Sequence, residues 1–222
     1  MTFPFEVHQV PGSEALAKLS ELATAGEGFP IILGDAEKFE RVVETFEMND
    51  GQSTQELINV SLGINPANWF EERQASDPEY YDIQEGEWPD EDPGTPQSLT
   101  SHRDLLSGDL LAQVHIAVIP AAEAWLVPCY LRIGGWNECP NPEEHAAIFK
   151  YWGEKYGAKV ACITDDVIEM IVTRPPTTKE GALELAKEQY LYCADIVDQG
   201  TESIEALAAT LLNARVWYFW WD

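Results

Sequence analysis

The sequence ends on its most apolar stretch, VWYFWWD at residues 216–222, in which five aromatic side chains follow one another. A strand with one face in water alternates polar and apolar side chains, and this stretch does not alternate at all. A continuous apolar run is typical of a strand that is covered on both faces. Burial of Trp217, Phe219 and Trp221 on one face would stabilise the fold by about 1.5–3 kcal/mol per side chain. We therefore predict that the chain closes with a strand in the centre of a β-sheet.

The charge of the chain limits its partners. Its 222 residues include 39 acidic and 13 basic side chains, which gives a formal net charge of −26. Nucleic acids and anionic membranes carry charge of the same sign, so we expect neither as a partner. A charge of this size keeps a protein soluble, and it also suits a surface that meets a basic protein.

The sequence also indicates a compartment. No apolar run approaches the roughly 20 residues that a membrane-spanning helix needs. The first residues, MTFPFEVHQVPG, lack the basic and apolar regions of a secretory signal. We therefore expect a cytoplasmic protein whose cysteines stay reduced, without disulfides. These cysteines are Cys129, Cys139, Cys162 and Cys193.

The N-terminal half divides into two regions. Residues 1–70 read as a smaller α/β part, in which FPIILG (29–34) predicts a buried strand and Asp35 can cap the helix that follows. Residues 71–92 contain ten acids and one base, with no apolar periodicity. Because such charges repel one another, we read residues 71–110 as an acidic, proline-containing linker.

Residues 111–222 have a denser pattern, which predicts a C-terminal α+β domain. The predicted order is β-β-α-β-β-α-α-β, with AQVHIAVIPA and WLVPCYLRI as the first two strands. The helix that follows has Asn141 as its N-cap, Pro142 in its first turn and Gly157 at its end. The expected fold class is α+β, with a mixed, largely antiparallel sheet and helices packed on it.

Several motifs of this C-terminal half occur together in one order. They are GGWNECPNPEEHAAIFKYWGEKYGA, RPPTTKEGALELAKEQYLYCADIVDQG, IEALAATLL and VWYFWWD. With these motifs, residues 111–222 resemble the domain of unknown function 4253 family, and the N-terminal part is similar to the extension in longer members. The resemblance implies a bacterial protein and a fold built around these motifs. It implies no catalytic role.

Two loops display the candidate binding residues. The loop GGWNECP (134–140) presents Asn137 and Glu138, and YCADIVDQG (192–200) presents Asp195, Asp198 and Gln199. Paired carboxylates can bind a hard cation, share a proton in acid–base catalysis, or accept an arginine of a partner. The same side chains can also terminate helices and bond backbone groups in turns, which is the architectural interpretation.

The sequence does not favour a metal, a cofactor or catalysis. Cys139, His145, Cys193 and Asp195 have the ligand types of a zinc site, but their spacing matches no zinc-finger pattern. We predict no metal site and no cofactor. The motifs GxSxG, GxGxxG and HExxH and the P-loop are all missing, so we predict no catalytic residues.

Three hypotheses about function follow. The first is a non-enzymatic acidic module, of the immunity or inhibitor type, that binds a basic protein. The second is a small enzyme or cation-binding protein that uses Glu138, Asp195 and Asp198. The third is a structural or scaffolding module without a ligand.

Overall fold

The computed structural model describes residues 3–49, 51, 53–78, 81, 86–91 and 93–222. Its centre is a six-stranded sheet formed by β1 (Glu6–Val10), β2 (Phe29–Gly34), β3 (Val114–Ile119), β4 (Ala158–Ile163), β5 (Val167–Val172) and β6 (Val216–Trp220). In space the strands lie in the order β1-β3-β2-β4-β5-β6. Only the β2–β4 pair is parallel, and the other four pairs are antiparallel. This confirms the predicted α+β class with a mixed, largely antiparallel sheet.

Helices pack on this sheet. They are α1 (Ala15–Ala25), α2 (Ala36–Met48), α3 (Thr54–Ser61), α4 (Pro66–Ser76), α5 (Val127–Leu131), α6 (Pro142–Tyr156), α7 (Lys179–Tyr192) and α8 (Ile204–Leu211). Among the described residues, no helix is both long enough and apolar enough to pass through a membrane.

The helix ends follow the predicted capping residues. Asp35 accepts the backbone N–H of Lys38 at 3.0 Å at the start of α2. Asn141 and Glu144 form a reciprocal capping box at the start of α6, where the Glu144 carboxylate accepts the Asn141 N–H at 2.7 Å. Gly157 ends α6 in the left-handed conformation, which glycine adopts without steric strain.

An aromatic core fills the face of the sheet under α6 and α7. The rings of Trp152 and Phe219 stack with their centroids 5.6 Å apart, and Tyr192 meets Phe219 edge to face at 4.9 Å. Trp217 contacts Trp152 at 5.6 Å. All four side chains are fully buried. The closing strand therefore supplies a large part of the hydrophobic core.

The opposite face of the sheet, which we call the second face, is covered by α1 and by residues 95–101. Ala15, Leu19 and Leu99 pack there against strand residues such as Ile116 and Val216. Glu169 of β5 is fully buried on this face. Its carboxylate accepts hydrogen bonds from the N–H and hydroxyl of Thr100, both at 2.7 Å, and from the Ser101 N–H at 2.9 Å. A buried carboxylate thus fastens this segment to the sheet.

The predicted position of the last strand was wrong. Strand β6 lies at an edge of the sheet and pairs only with β5. Val216, Trp217, Phe219 and Trp221 are buried, whereas Tyr218 and Trp220 are half-buried. The run lacks polar residues because residues 95–101 partly cover the side of β6 that lies on the second face of the sheet. A strand can therefore be covered on both faces without lying in the centre of the sheet.

The predicted second strand of the C-terminal half was also wrong. Residues Ala124–Leu126 form a 3-10 turn, and Val127–Leu131 form α5. Pro128 lies in the first turn of α5, where a helix needs no N–H donor. Val127, Cys129 and Leu131 are all buried, so this short apolar run had no periodicity that could separate a helix from a strand.

The stretch predicted to be a linker contains regular and packed structure at both ends. Helix α4 continues to Ser76. Near the other end, the Arg215 N–H donates to the Pro96 carbonyl at 3.0 Å and Leu99 is buried. The secondary structure of residues 71–76 and the packing of residues 95–101 therefore differ from an extended linker. The division into domains at these positions stays a prediction.

Candidate functional site

Asp195 holds the end of the chain. Its Oδ2 accepts the backbone N–H of Asp222 at 3.0 Å, and its Oδ1 accepts the side-chain amide of Gln199 at 2.9 Å. Both carboxylate oxygens therefore have partners within the chain. The sequence predicted Asp195 and Gln199 as binding residues, and the structure brings the two together.

Asn137 contacts the same chain end from another loop. Its backbone is left-handed, with a φ of 46°, which asparagine tolerates better than most residues. Its side-chain amide donates to the backbone oxygen of Asp222. Asn137 and Asp195 thus both bond the backbone of Asp222. They are 58 positions apart in the sequence, so Asp222 connects two separate loops.

Asp198 lies close to Asp195 on the turn after α7. Burial raises the pKa of the Asp198 carboxyl and the charge of Asp195 adds to this, although a hydrogen bond with Tyr190 acts in the opposite direction. The two predicted aspartates are therefore near enough to repel each other. This is the arrangement expected of a carboxylate pair, but both members already have hydrogen-bond partners within the chain.

Glu138 has a different set of neighbours. Its Oε2 lies 3.0 Å from Nη2 of Arg73 and accepts the hydroxyl of Tyr81 at 3.1 Å. The Arg73 guanidinium lies over the rings of Trp69 and Tyr81, at 5.5 and 5.3 Å from their centroids. Glu138 therefore helps to hold α4 and Tyr81 against the C-terminal half.

A buried polar cluster lies behind these loops. Nε2 of His145 is 3.4 Å from Sγ of Cys139, and its Nδ1 is 2.6 Å from the Tyr192 hydroxyl. Gly134 is needed beside it, because a Cβ there would lie 2.9 Å from His145 Nε2 and 2.0 Å from the Pro140 carbonyl oxygen. Cys139, His145 and Tyr192 are all buried.

This cluster has the residue types of a nucleophilic pair but not the protonation states. Burial lowers the pKa of His145 to about 3 and raises the pKa of the Cys139 thiol well above its usual value. The imidazole is therefore neutral and the thiol stays protonated, whereas a nucleophilic cysteine needs a thiolate. Within the described ranges, no group of three or more His, Cys, Asp or Glu side chains is placed to hold a metal ion.

A cleft of about 200 Å³ with both polar and apolar lining residues lies at the carboxyl ends of the parallel strands β2 and β4. We call it the strand-end cleft. Ligands often bind at such strand ends, because the loops there are free to carry polar side chains. Its polar lining includes Asp35, Lys38, Thr100, Ser101, Arg103, Asp104, Thr164, Asp166 and Tyr218.

Lys38 and Asp166 line this cleft, and Asp165 is a second partner of Lys38. Nζ of Lys38 lies 2.6 Å from Asp166 Oδ2 and 3.3 Å from Asp165 Oδ1. Burial lowers the pKa of Lys38, but hydrogen bonds and the charges of Asp166 and Asp165 outweigh it, so the pKa is raised overall. Burial and the charge of Asp166 raise the pKa of Asp165. Gly34 allows Lys38 to approach, since a Cβ at Gly34 would lie 2.7 Å from the Lys38 Cβ.

A loop with internal hydrogen bonds and exposed leucines lies at the rim of the strand-end cleft. We call residues 104–110 the leucine loop. Asp104 Oδ1 accepts the N–H groups of Leu106 and Ser107 at 3.1 and 2.7 Å, and the Asp104 carbonyl accepts the Gly108 N–H at 2.8 Å. At the tip, the side chain of Leu106 is 99% exposed, and Leu105 is 62% exposed. The loop is thus held by its own hydrogen bonds while it presents apolar side chains to water.

Sequence reasoning missed both the strand-end cleft and the leucine loop. Lys38 and Asp166 are 128 positions apart, so their contact depends on the β2–β4 pairing. The sequence did contain one signal for the loop: DLLSGDL at 104–110 places adjacent leucines between turn-forming residues.

Comparisons with known proteins bear on the C-terminal half. No curated protein matches the chain, and no solved structure matches it. A family model matches residues 115–222, which run from β3 to the last residue. The match covers α5, α6, α7 and α8 and the strands β4, β5 and β6, together with the loops that carry Asn137 and Asp195. The C-terminal half of this chain therefore matches the family described as Domain of unknown function (DUF4253).

Proposed function

We propose that this protein is a non-enzymatic binding module, of the immunity or inhibitor type, that engages a basic partner protein through the leucine loop and the strand-end cleft. The observation that carries the proposal is the leucine loop itself. Its backbone is held by internal hydrogen bonds, yet the loop leaves Leu105 62% and Leu106 99% exposed to water at the rim of the cleft.

Two adjacent exposed leucines are suited to a protein partner. Burying one leucine side chain is worth about 1.5–3 kcal/mol, so a pair can form the centre of an interface. Because internal hydrogen bonds already order the backbone of the loop, we expect little backbone entropy to be lost when a partner binds it. An apolar tip of this kind would fill a pocket on the partner.

The charges around the loop favour a basic partner. Asp35, Asp104 and Asp166 line the cleft beneath the leucines, and Asp109 follows on the loop. The net charge of −26 adds a long-range attraction for cationic proteins, which raises association rates. Lys38 and Arg103, which line the same cleft, offset part of this local negative charge, and the three lining aspartates and Asp109 still outnumber them.

The bonds of the predicted site residues also agree better with binding than with catalysis. Asp195 uses both carboxylate oxygens inside the chain, and Glu138 is paired with Arg73 and Tyr81. Carboxylates held in this way are poor candidates for a general acid or base. These internal contacts of Asp195 and Glu138 are also what the scaffolding alternative expects, but that alternative leaves the exposed leucines of the loop unexplained. The cation-binding alternative has no group of three or more His, Cys, Asp or Glu side chains in its favour among the described residues.

Affinity capture tests the proposal. The immobilised protein is incubated with extract of the cells that make it, alongside the double variant Leu105→Asp/Leu106→Asp. The matched control is Leu62→Asp, which places the same charge at a leucine that is 57% exposed at the end of α3.

We expect the wild type and the Leu62→Asp control to retain the same basic protein, and the double variant to lose it. Retention should weaken as ionic strength rises from about 0.01 M to about 1 M, over which the Debye length falls from about 30 Å to about 3 Å. A partner that all three proteins retain equally, or an acidic partner, would refute the proposal. For an inhibitor or immunity protein, co-expression should also suppress the activity of the captured partner.

A further inference from the structure

A large groove opens on the second face of the sheet, at the opposite ends of β2 and β4 from the strand-end cleft. Its volume is about 1120 Å³. One wall is formed by α1 and the turn after it, and the other by residues 97–99 and the strands β4, β5 and β6. Binding sites for small molecules are typically clefts of about 300–1,000 Å³, so this groove is large enough for one.

The walls of the groove are largely apolar. Leu16, Leu19 and Ala23 line it from α1, and Ala161, Ile171 and Val216 line it from the strands. Ile171 is 41% exposed, which is unusual for an isoleucine in an interior strand of a sheet. The sheet thus has an uncovered apolar area beside α1.

Two cations stand on this apolar surface. Lys159 of β4 is directly opposite Ile171 of β5, and Ile171 is directly opposite Val216 of β6. Arg215 precedes Val216 and donates to the Thr173 carbonyl at 3.1 Å. Across the part of the chain that the structure describes, neither Lys159 nor Arg215 has an acidic partner.

These cations are unusual in their context. In a chain with 39 acids and 13 bases, an acidic neighbour is the ordinary partner of a cation. The lining of the groove instead combines Lys159 and Arg215 with a single carboxylate, that of Glu27. The groove is therefore locally basic within a strongly acidic protein.

We propose that this groove binds an anionic amphiphile, with an alkyl chain along the apolar walls and a carboxylate-type head group at Lys159 and Arg215. Arginine and lysine bind carboxylates by charge-assisted hydrogen bonds, and the aliphatic stem of Lys159 can cover part of the chain. The site is independent of the leucine loop, so either proposal can fail without the other.

Calorimetric titration of the full chain with three probes tests this inference. The probes share a ten-carbon chain and differ in charge: decanoate and decyltrimethylammonium, each below its micelle concentration, and 1-decanol below its solubility limit. The net charge of −26 alone would favour the cationic probe. The local charge of the groove predicts the reverse order, with decanoate bound at least about tenfold more tightly than either of the others.

Three variants locate the binding. Lys159→Gln/Arg215→Gln should weaken decanoate binding about tenfold or more and leave decanol unchanged, and Lys159→Gln alone should give part of this loss. Lys187→Gln, which lies on α7 outside the groove, makes the same change of charge as Lys159→Gln and is its control. It should bind all three probes as the wild type does. Ala23→Trp, at an exposed position of α1, should fill the groove and abolish binding of decanoate and decanol.

Several results would overturn the inference. Tighter binding of the cationic probe would show that the net charge decides, and unchanged decanoate affinity in Lys159→Gln/Arg215→Gln would place the head group elsewhere. A dimer in sedimentation velocity that Ala23→Trp converts to a monomer would make the groove an interface between two copies of the chain.

Discussion

The carboxylate of Asp195 accepts the backbone N–H of Asp222 at 3.0 Å, so a residue that the sequence suggested for ligand binding fastens the end of the last strand. Trp221 is held nearby, because its backbone N–H donates to the Asp166 backbone carbonyl at 3.1 Å. The edge strand β6 is thus held beyond its final residue by contacts from two other parts of the chain. The aromatic run is an integral part of the core.

Replacing Asp195 should destabilise the fold. In Asp195→Ala the Asp222 N–H and the Gln199 amide both lose an acceptor, and we expect the free energy of unfolding to fall by about 1–3 kcal/mol. Asp195→Asn keeps one acceptor oxygen and should lose about half as much. Denaturant titration measures both.

The control is Asp198→Asn. Burial and the charge of Asp195 raise the pKa of the Asp198 carboxyl, so removing its charge should leave stability unchanged or slightly higher at neutral pH. Equal losses at positions 195 and 198 would contradict the anchoring role.

The two faces of β6 should differ in their contribution. Trp217 is fully buried, so Trp217→Ala should lower the free energy of unfolding by about 3–5 kcal/mol. Trp220 is half-buried on the second face, and Trp220→Ala should lower it by only about 1–2 kcal/mol. Thermal or chemical denaturation distinguishes the two values, and comparable losses would indicate that both faces of the strand are buried equally.

The sequence predicted much of this fold where the signal was local. FPIILG at residues 29–34 forms β2, and the caps at Asp35 and Asn141 begin α2 and α6, because a capping side chain bonds a backbone amide only a few residues away. The order of elements after β3 differs from the prediction at one element, α5. In the apolar run Val127–Leu131 every residue but the half-buried Tyr130 is buried, and burial alone does not separate helix from strand.

The non-local features were not predictable in the same way. Strand β1 has only Val7 and Val10 as apolar side chains among its five residues, and only its pairing with β3 identifies it as a strand. The edge position of β6 depends on sheet order, which the residues of the strand do not specify. The candidate residues Asn137 and Asp195 do meet, through Asp222, but the cleft built from Lys38 and Asp166 exists only once β2 and β4 are paired.

The buried His145 should make stability depend on pH. Its pKa is about 3 in the folded protein and about 6.5 when unfolded, so below pH 6.5 the unfolded state binds a proton that the folded state does not. Stability is therefore fully present above pH 6.5 and falls as the pH decreases, by about 1.4 kcal/mol per pH unit from this residue until the folded value is reached.

Denaturant titrations between pH 7 and pH 5 measure this slope. The variant His145→Gln should be less stable at pH 7 and should lose the slope that His145 contributes. His102, whose pKa is lowered by burial and by Arg103, remains in both proteins, so its contribution cancels in the difference. Parallel stability curves for the two proteins would show that His145 is protonated in the folded state.

Glu169 should control the packing of residues 95–101. Glu169→Leu leaves the Thr100 and Ser101 N–H groups without their acceptor, and we expect stability to fall by at least about 3 kcal/mol. Hydrogen exchange at these two amides should become faster, because the segment is no longer fastened to β5. Glu169→Gln retains one acceptor oxygen, so its stability and its exchange rates should lie between those of the wild type and Glu169→Leu. Unchanged exchange in Glu169→Leu would mean that the packing of Leu99 alone holds the segment.

Site-specific photo-crosslinking in the cells that make the protein is the most direct test of the proposed function. A photoreactive phenylalanine replaces Leu106 at the tip of the leucine loop, and in a matched protein it replaces Leu62, an exposed leucine on α3. We predict that irradiation links position 106, but not position 62, to one basic protein. If both positions give the same adducts, or if position 106 gives none, the leucine loop is not a binding surface and the proposed function is wrong.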